Sequence, residues 1–327
     1  MSSTHTPALQ GDYETLLKGC GLLDRSERGK LALTGTGAVE FLNGQVTNEL
    51  LNLHPGKGRY AAFLTHKGKM LGDLRILAVG PSAEETPTEL LLDTERSTLQ
   101  ALFDMIRRFK VGYEVELHKR TLESGLLSLI GPQAAAVAGA ESLPAVEHAH
   151  LELSLDGVRA RAIRTDLGID LLCEAADTER LAQALRERGA TPVAEEAVEC
   201  LRLEHGRPRY GVDLDDTVIP QEAGLNERAV NFTKGCYVGQ ETVARLFYKG
   251  KPNRHLRGLR LSDAANPGDE LRLGERIVGQ LGSTALSPRL GPIALALVRR
   301  EAEPGSIITV GQAGIEAEVL ELPFPAD

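Results

Sequence analysis

The residues best suited to chemistry lie in one short stretch, from Asn231 to Thr242, which holds a thiol, a lysine, two glycines and a Gln-Glu pair. Cys236 can act as a nucleophile or ligand only as the thiolate, and a nearby cation such as Lys234 would lower its pKa. In an extended segment, residues two apart face the same side, so the two side chains would be neighbours. The alternative is that Cys236 is a small buried hydrophobe.

Two carboxylates elsewhere are candidate polar anchors for a ligand. Asp73 lies in a predicted hairpin, and Glu204 lies at the end of a predicted helix. Either side chain could instead be an ordinary surface carboxylate. The histidines nearest to Cys236 in the sequence, His205 and His255, do not form a recognisable Cys/His pair with it. The sequence contains neither a phosphate-binding loop nor a dinucleotide-binding fingerprint.

The charge distribution favours a small anionic ligand over nucleic acid. The net charge is −9, which argues against broad affinity for nucleic acid. Between Phe232 and Arg260, however, seven lysines and arginines accompany a single acid, Glu241. Such a run could hold an anion, and a solvated face is the alternative.

Cysteine usage and hydropathy indicate a cytoplasmic protein. Four cysteines occur without a CxxC pair or a zinc-ligand spacing, so we expect reduced thiols and no metal site. No apolar run approaches the roughly 20 residues that span a bilayer. The segment from Met1 to Gly11 is polar and lacks the apolar core of a signal peptide.

Hydrophobic periodicity predicts the elements that position these residues. Tyr60–Leu64 and Met70–Val79 flank a Lys-Gly turn and predict a β-hairpin that carries Asp73. Apolar residues at helical spacing predict a helix over 99–109, and alternation over 111–117 predicts a strand. Thr36 is a candidate N-cap for an earlier helix.

A repeated pattern suggests two related α+β units. Leu31-x-Leu33-x-Gly35-x-x-Ala38 returns as Leu127-x-Leu129-x-Gly131-x-x-Ala134, although motifs this short also recur by chance. The second unit contains a hairpin over 151–163 that turns at Asp156-Gly157. Thr191-Pro192 is predicted to open a helix that runs to Glu204, and another helix is predicted from Gly239.

The C-terminal region changes character after Pro252. Six short apolar runs, separated by Gly, Pro and Asp, predict a small all-β barrel or sandwich. We therefore expect an α+β protein with a first α+β unit at 1–120 and a second at 121–250. The second unit would include the Lys-Gly-Cys-Tyr segment and interleave with the first, and the C-terminal β-barrel would span 251–327.

The segment from Lys234 to Glu241 resembles a known signature. It is similar to the K-G-C-Y-x-G-Q-E motif of the YgfZ family of folate-binding proteins. This family is similar in turn to the T protein of the glycine cleavage system, a tetrahydrofolate-dependent aminomethyltransferase. Further matches support the resemblance: Gln45 to Asn48, Lys67 to Met70, Leu203 to Gly206 and Ile219 to Glu222.

The resemblance implies the aminomethyltransferase fold, a three-domain cloverleaf around a central folate pocket with a C-terminal β-barrel. It implies tetrahydrofolate, or a derivative, as the cofactor. Cys236 would be the functional thiol, and Asp73 is a candidate catalytic carboxylate. The T protein has an acidic pair where this chain has Gly72-Asp73. The implied folate-binding residues are Lys234, Gly235, Tyr237, Gly239, Gln240, Glu241, Glu204 and Arg245.

The implied function is that of a folate-binding accessory protein. It would support iron–sulfur cluster assembly or repair, including that of iron–sulfur enzymes that modify tRNA. Its partners would be folate and iron–sulfur proteins or assembly factors, not membranes or nucleic acid. A true tetrahydrofolate-dependent aminomethyl or methyl transferase is the alternative. A structural adaptor with a vestigial pocket is a third possibility.

Overall fold

The computed structural model describes residues 7–325, which form two compact units. The two-sheet unit comprises Glu14–Val193 and Glu227–Gln240. The barrel unit comprises the described chain up to Tyr13, Ala194–Asn226, and the described chain from Glu241 onward. Two expectations fall partly outside the described residues: the polar segment from Met1 to Gly11, and the end of the C-terminal β-barrel expected at 251–327.

The helices and strands follow in chain order. They are α1 (Pro7–Lys18), β1 (Gly21–Asp24), β2 (Gly29–Thr34), α2 (Ala38–Asn43), β3 (Gly58–Leu64), β4 (Met70–Val79), β5 (Glu89–Thr94), α3 (Leu99–Phe109), β6 (Glu116–Lys119), β7 (Ser124–Ile130), α4 (Ala134–Ala138), β8 (His150–Leu155), β9 (Val158–Arg164), β10 (Gly168–Glu174), α5 (Thr178–Glu187), β11 (Thr191–Pro192), α6 (Glu195–Glu204), α7 (Asn226–Ala229), α8 (Gln240–Lys249), β12 (Arg254–Leu261), β13 (Glu270–Leu273), β14 (Arg276–Ser287), β15 (Gly291–Arg299), β16 (Ile307–Val310) and β17 (Ile315–Leu320).

The first sheet of the two-sheet unit is antiparallel, in the order β3-β4-β5-β2-β6. Alternate residues of β4, Leu74 and Ile76, pack in one core with Phe41 of α2 and with Leu102 and Ile106 of α3. Burying each such side chain stabilises the fold by about 2 kcal/mol. The other face of β4 carries Asp73 and Arg75, because side chains alternate along a strand.

The second sheet has the order β11-β1-β7-β10-β9-β8, and β11 pairs with β1 in parallel. Ile169 and Leu171 of β10 pack in a separate core with α4 and α5. The opposite face of β10 carries Asp170, which accepts a hydrogen bond from Arg75 of the first sheet at 2.7 Å. The Arg75–Asp170 ion pair therefore joins the polar faces of the two sheets.

The barrel unit contains a closed six-stranded barrel in the order β12-β15-β14-β13-β16-β17. Its strands coincide with the six apolar runs that predict them. Leu203 of α6 packs with Leu256, Ile293, Leu295 and Phe324. The predicted fold class, an α+β protein with a C-terminal β-barrel, is confirmed.

Most predicted elements are confirmed, including the hairpin of β3 and β4, the α3 helix and the turn at Asp156-Gly157, where both residues have positive φ. The strand prediction over 111–117 is largely wrong: β6 begins at Glu116, and Val111 is exposed. Thr191-Pro192 pairs with β1, so α6 begins only at Glu195.

The cap prediction for α2 is also wrong. Gly37 is the N-cap residue, and the Thr36 hydroxyl donates to Glu114 at 2.5 Å instead. Among residues 7–325, no helix is both long enough and apolar enough to cross a membrane.

Candidate functional site

Lys234 anchors the segment from Asn231 to Gly239 to the two-sheet unit. Its ammonium is buried and donates to the backbone carbonyls of Asn43, Val46 and Asn48 at 2.7–2.8 Å. Burial lowers the pKa of Lys234 to about 8, and the charge of Glu49 raises it in part. The three carbonyls solvate the ammonium in place of water, so the segment is fixed at this point.

Tyr237 forms the second anchor of this segment. Its ring is buried, lies 5.1 Å from the Lys234 ammonium, and can stabilise the cation through its π face. The backbone N–H of Val238 donates to the carbonyl of Gly44 at 3.2 Å. Between the two anchors, Gly235 and Cys236 are exposed.

Gly239 ends the segment at a point where only glycine fits. Its φ is +84°, and a Cβ there would lie 2.5 Å from the carbonyl oxygen of Thr65 in the β3–β4 turn. We assign Gly239 to this close approach of two backbones. Gln240 then begins α8.

The structure corrects the expectation that Lys234 and Cys236 share a face. The segment is irregular, not extended, and Lys234 is buried while Cys236 is exposed. Cys20, Cys173 and Cys200 are buried, and burial raises the pKa of each of these three thiols. Cys236 is thus the exposed thiol of this protein.

Asp73 is a buried carboxyl on the polar face of β4. It accepts a hydrogen bond from the Tyr60 hydroxyl at 2.9 Å. Burial raises the pKa of Asp73 from 3.8 to about 6, although the hydrogen bond from Tyr60 opposes the shift. A carboxyl with such a pKa can both accept and return a proton near neutral pH.

Arg228, in the helix α7 that precedes the Lys234 segment in the chain, packs against Tyr60, the hydrogen-bond partner of Asp73. Its guanidinium lies 5.2 Å from the centre of the Tyr60 ring and pairs with Glu147. Burial also raises the pKa of Tyr60 well above 10, so its hydroxyl remains a hydrogen-bond donor. Asp73, Tyr60 and Arg228 therefore form one contiguous group, which we call the Asp73 site.

A second carboxylate on the same sheet face, Asp93, has its pKa shifted in the opposite direction from that of Asp73. Asp93 accepts from Arg28 at 2.8 Å and from Arg75 at 2.7 Å. Burial alone would raise the pKa of Asp93, but the two guanidiniums outweigh it and hold the pKa below its usual range. Asp93 therefore stays ionised, whereas Asp73, whose direct partner is a neutral hydroxyl, does not at mildly acidic pH.

Glu204 lies in the barrel unit, at the last residue of α6. The Tyr13 hydroxyl contacts both of its oxygens at 2.9 Å, Ser287 donates to Oε1, and Arg289 donates to Oε2 at 3.2–3.3 Å. This buried network fixes Glu204 among protein donors. Its predicted contact with a pterin stays a prediction and would require one of these donors to be exchanged.

The basic run is less available to a ligand than its composition suggests. Arg254 pairs with Glu222, Arg257 with Glu321 and Arg260 with Glu318. Glu241 and Arg245 are exposed on α8, and their predicted roles in binding stay predictions.

The two-sheet unit also contains a cleft of about 610 Å³ between its sheets. Its lining within the described chain includes none of the predicted site residues. Its charged side chains pair with one another, for example Arg120 with Glu123 and Arg161 with Glu152. We therefore place the candidate functional site at Asp73 and the Lys234 segment.

Comparison with known sequences decides the family. The sequence model of the GCVT N-terminal domain matches residues 2–234, and that of the glycine cleavage T-protein C-terminal barrel domain matches residues 254–325. The chain belongs to the GCVT family. The matched C-terminal region coincides with the closed barrel, β12 to β17.

Individual relatives agree with this assignment. An aminomethyltransferase from Streptomyces avermitilis is 31% identical, with 93% of this chain and 86% of the relative covered. An aminomethyltransferase from Thermotoga petrophila is 30% identical, with 94% and 86% covered. The crystal structure of the glycine cleavage system aminomethyltransferase T from Bartonella henselae superposes with a TM-score of 0.84. It is 25% identical and covers 97% of this chain and 89% of that one.

The packing around Gly72 leaves no room for a second carboxylate beside Asp73, at the position where the resemblance gives the T protein an acidic pair. A Cβ at Gly72 would lie 2.7 Å from the Phe63 ring and 2.8 Å from Cβ of Thr98. Phe63 is fully buried and cannot move aside cheaply. An aspartate at position 72 is therefore excluded by the packing of this chain.

Sequence reasoning missed two members of the Asp73 site. The sequence pattern places Tyr60 only in a strand, although the hairpin register pairs Ala62 with Asp73 and so puts Tyr60 diagonally across from Asp73. Arg228 belongs to the short helix α7, and no motif in the sequence distinguishes it.

Proposed function

We propose that this GCVT-family protein binds tetrahydrofolate, or a derivative of it, at the Asp73 site. The family assignment and the buried carboxyl of Asp73 support this. The carboxyl has a pKa near 6 and could pair with an amine or amide of a pterin ring. The side chain of Arg228 is 26% exposed beside Tyr60 and offers a cation to a ligand that reaches this surface.

The residues present fit the chemistry of folate. Bound tetrahydrofolate would supply a ring nitrogen that carries one-carbon units. Asp73 would hold or release a proton, and the Tyr60 hydroxyl would orient the carboxyl. Gln45 adds a side-chain oxygen that is buried and lacks a hydrogen-bond partner among the described residues. An unpaired buried acceptor of this kind favours a ligand or a water as its missing partner.

We further propose that the protein acts as a YgfZ-type accessory in iron–sulfur cluster assembly or repair, including that of tRNA-modifying enzymes. One observation carries this role. Cys236 is exposed on a segment that two buried anchors, Lys234 and Tyr237, hold in place. A thiol fixed at the surface suits contact with a partner protein or with cargo better than it suits packing. The steric exclusion of an aspartate at position 72 is consistent with an accessory role.

Binding and the thiol can be tested separately. We expect calorimetric titration with tetrahydrofolate to give saturable binding in the micromolar range for both the wild type and Cys236→Ala. We also expect Cys236→Ala to lose complementation of iron–sulfur enzyme activity in cells that lack the protein. Thr233→Ala, a neighbouring exposed change, is the control and should complement fully. Full complementation by Cys236→Ala would rule out the thiol-based role.

A tetrahydrofolate-dependent aminomethyl or methyl transferase is the second candidate. The relatives named above as aminomethyltransferases and the pKa of Asp73 near 6 favour it, because a proton-exchanging carboxyl is useful in turnover. An assay for folate-dependent product release separates the two proposals. Turnover that is lost in Asp73→Asn but kept in Cys236→Ala would favour the transferase.

A further inference from the structure

His148 adopts a backbone conformation that side chains usually avoid. Its φ is +67°, in the left-handed region, and it lies in the segment between α4 and β8. The side chain of His148 packs closely over Gly58, where a Cβ would lie only 2.7 Å from Cβ of His148, so glycine at position 58 leaves the room that His148 occupies. Backbone strain of this kind clusters at functional sites, where a ligand contact can compensate for it.

The His148 ring is buried without hydrogen bonds. Its side chain is only 12% exposed, and neither ring nitrogen has a hydrogen-bond partner among residues 7–325. The nearest carboxylate oxygen, Oε1 of Glu147, lies 3.6 Å from Nε2, beyond hydrogen-bond distance. Burial, followed by the charges of Arg75 and Arg228, lowers the pKa of His148 to about 3. The ring is therefore neutral, with one donor and one acceptor unused.

The position of His148 connects it to the Asp73 site. Its ring centre lies 6.5 Å from that of Tyr60, whose hydroxyl donates to Asp73. Arg228 lies over the same Tyr60 ring and pairs with Glu147, the residue before His148. Besides Glu147, four charged groups act on the ring: Arg75 and Arg228 lower the pKa of His148, and Asp166 and Asp93 raise it.

A second buried histidine in the same region shows that the fold can satisfy such a ring. His150 is 3% exposed, and its Nε2 lies 3.3 Å from the Lys57 carbonyl oxygen. Its Nδ1 lies 3.1 Å from Nη1 of Arg161. His150 thus has partners for both nitrogens, and His148, two residues earlier, has neither.

We infer that His148 is a ligand-contacting residue of the Asp73 site. Its neutral imidazole offers a donor and an acceptor to a flat heterocycle whose edge carries both kinds of group, as the edge of a pterin does. The strained backbone and the unpaired ring nitrogens destabilise the ligand-free fold. Hydrogen bonds from the bound heterocycle to the two nitrogens offset this destabilisation. This inference rests on the proposed binding of folate and adds the residue that selects its ring.

The test compares His148→Phe and His148→Asn with His150→Phe by calorimetric titration with tetrahydrofolate and by thermal unfolding. We expect His148→Phe to weaken binding at least about tenfold and to lower Tm only by what the left-handed backbone costs a phenylalanine, because the other loss is of unpaired polar atoms. His148→Asn tolerates left-handed backbone and keeps a shorter amide, so it should fold and bind about tenfold more weakly. His150→Phe should lower Tm by several degrees and keep the affinity within about twofold, because it breaks existing hydrogen bonds.

The outcomes distinguish this inference from the proposal beneath it. If the wild type fails to bind tetrahydrofolate, the proposed function falls, and this inference falls with it. If the wild type binds and both His148 variants bind equally well, only the inference is overturned. His148→Asn decides the question if His148→Phe does not fold.

Discussion

Asp73→Asn is expected to raise the free energy of unfolding by about 3 kcal/mol at pH 8 and by less than about 1 kcal/mol near pH 4. Burial raises the pKa of Asp73 from 3.8 to about 6, so the folded state binds this proton more tightly than the unfolded state does. The stability that this proton provides is complete below pH 3.8 and is lost as the pH rises through 6. An asparagine carries no charge, so the variant avoids that loss.

Urea unfolding of both proteins between pH 4 and pH 8 measures this difference. The amide oxygen of asparagine can still accept the hydrogen bond from Tyr60, so the packing around position 73 should survive. Asp216→Asn, which changes an exposed carboxylate, serves as the control and should shift stability by less than about 0.5 kcal/mol at any pH. If the difference in free energy of unfolding between the two proteins does not change with pH, the pKa of Asp73 is not raised in the folded state.

The same substitution is expected to impair function while it stabilises the fold. The buried carboxyl of Asp73 lowers the stability of the folded state at neutral pH. Residues that destabilise the fold in this way are found mostly at functional sites. Tetrahydrofolate affinity, or turnover if the protein is a transferase, should fall in Asp73→Asn. A variant that is both more stable and fully active would show that the carboxyl has no role.

Lys234→Met is expected to lower the free energy of unfolding by about 3 kcal/mol at pH 7. Methionine keeps the length and apolar stem of the side chain but leaves the two buried carbonyls of Asn43 and Val46, and the part-buried carbonyl of Asn48, without their donor. Each unpaired buried carbonyl costs about 1–3 kcal/mol, and relief of the buried ammonium's desolvation offsets part of the sum. Urea unfolding measures the change.

Two further measurements probe the segment that carries Lys234 and Cys236: thiol modification tests the exposure of Cys236, and hydrogen exchange tests whether Lys234 fixes the segment. In the wild type, a thiol reagent should modify Cys236 rapidly and the three buried cysteines only slowly. In Lys234→Met, hydrogen exchange at the Val238 amide, which donates to Gly44, should accelerate as the segment detaches. Lys249→Met, at the exposed end of α8, is the matched control. Unchanged stability and exchange in Lys234→Met would contradict the anchoring role.

The helices and strands that were predicted correctly are those whose apolar residues recur with a regular local period. The β3–β4 hairpin, the α3 helix and the six barrel strands each show their own period of apolar residues, so their existence and type were predictable. The errors lie where tertiary pairing decides. Thr191-Pro192 resembles a helix start, but pairing with Leu22 and its neighbour makes it a strand. Val111 alternates with apolar neighbours yet is exposed, because β2 pairs only with the later residues of that run.

The sequence singles out Asp73 and the Lys234–Cys236 segment as candidates, the segment because its residue types are unusual together, and their roles in a site stay predictions. The partner of each side chain was not predictable. The Lys234 ammonium was expected beside Cys236, but it bonds carbonyls 186 to 191 residues away in the chain. Contacts of that range follow from the packed fold and leave no periodic signal in the sequence.

The most direct test of the central proposal is a crystal structure of the protein with tetrahydrofolate. We expect the pterin to lie within hydrogen-bond distance of the Asp73 carboxyl, beside Tyr60 and Arg228. Tetrahydrofolate bound only in the charged cleft that Arg120 and Arg161 line would contradict this account, as would crystals that remain free of ligand at millimolar tetrahydrofolate.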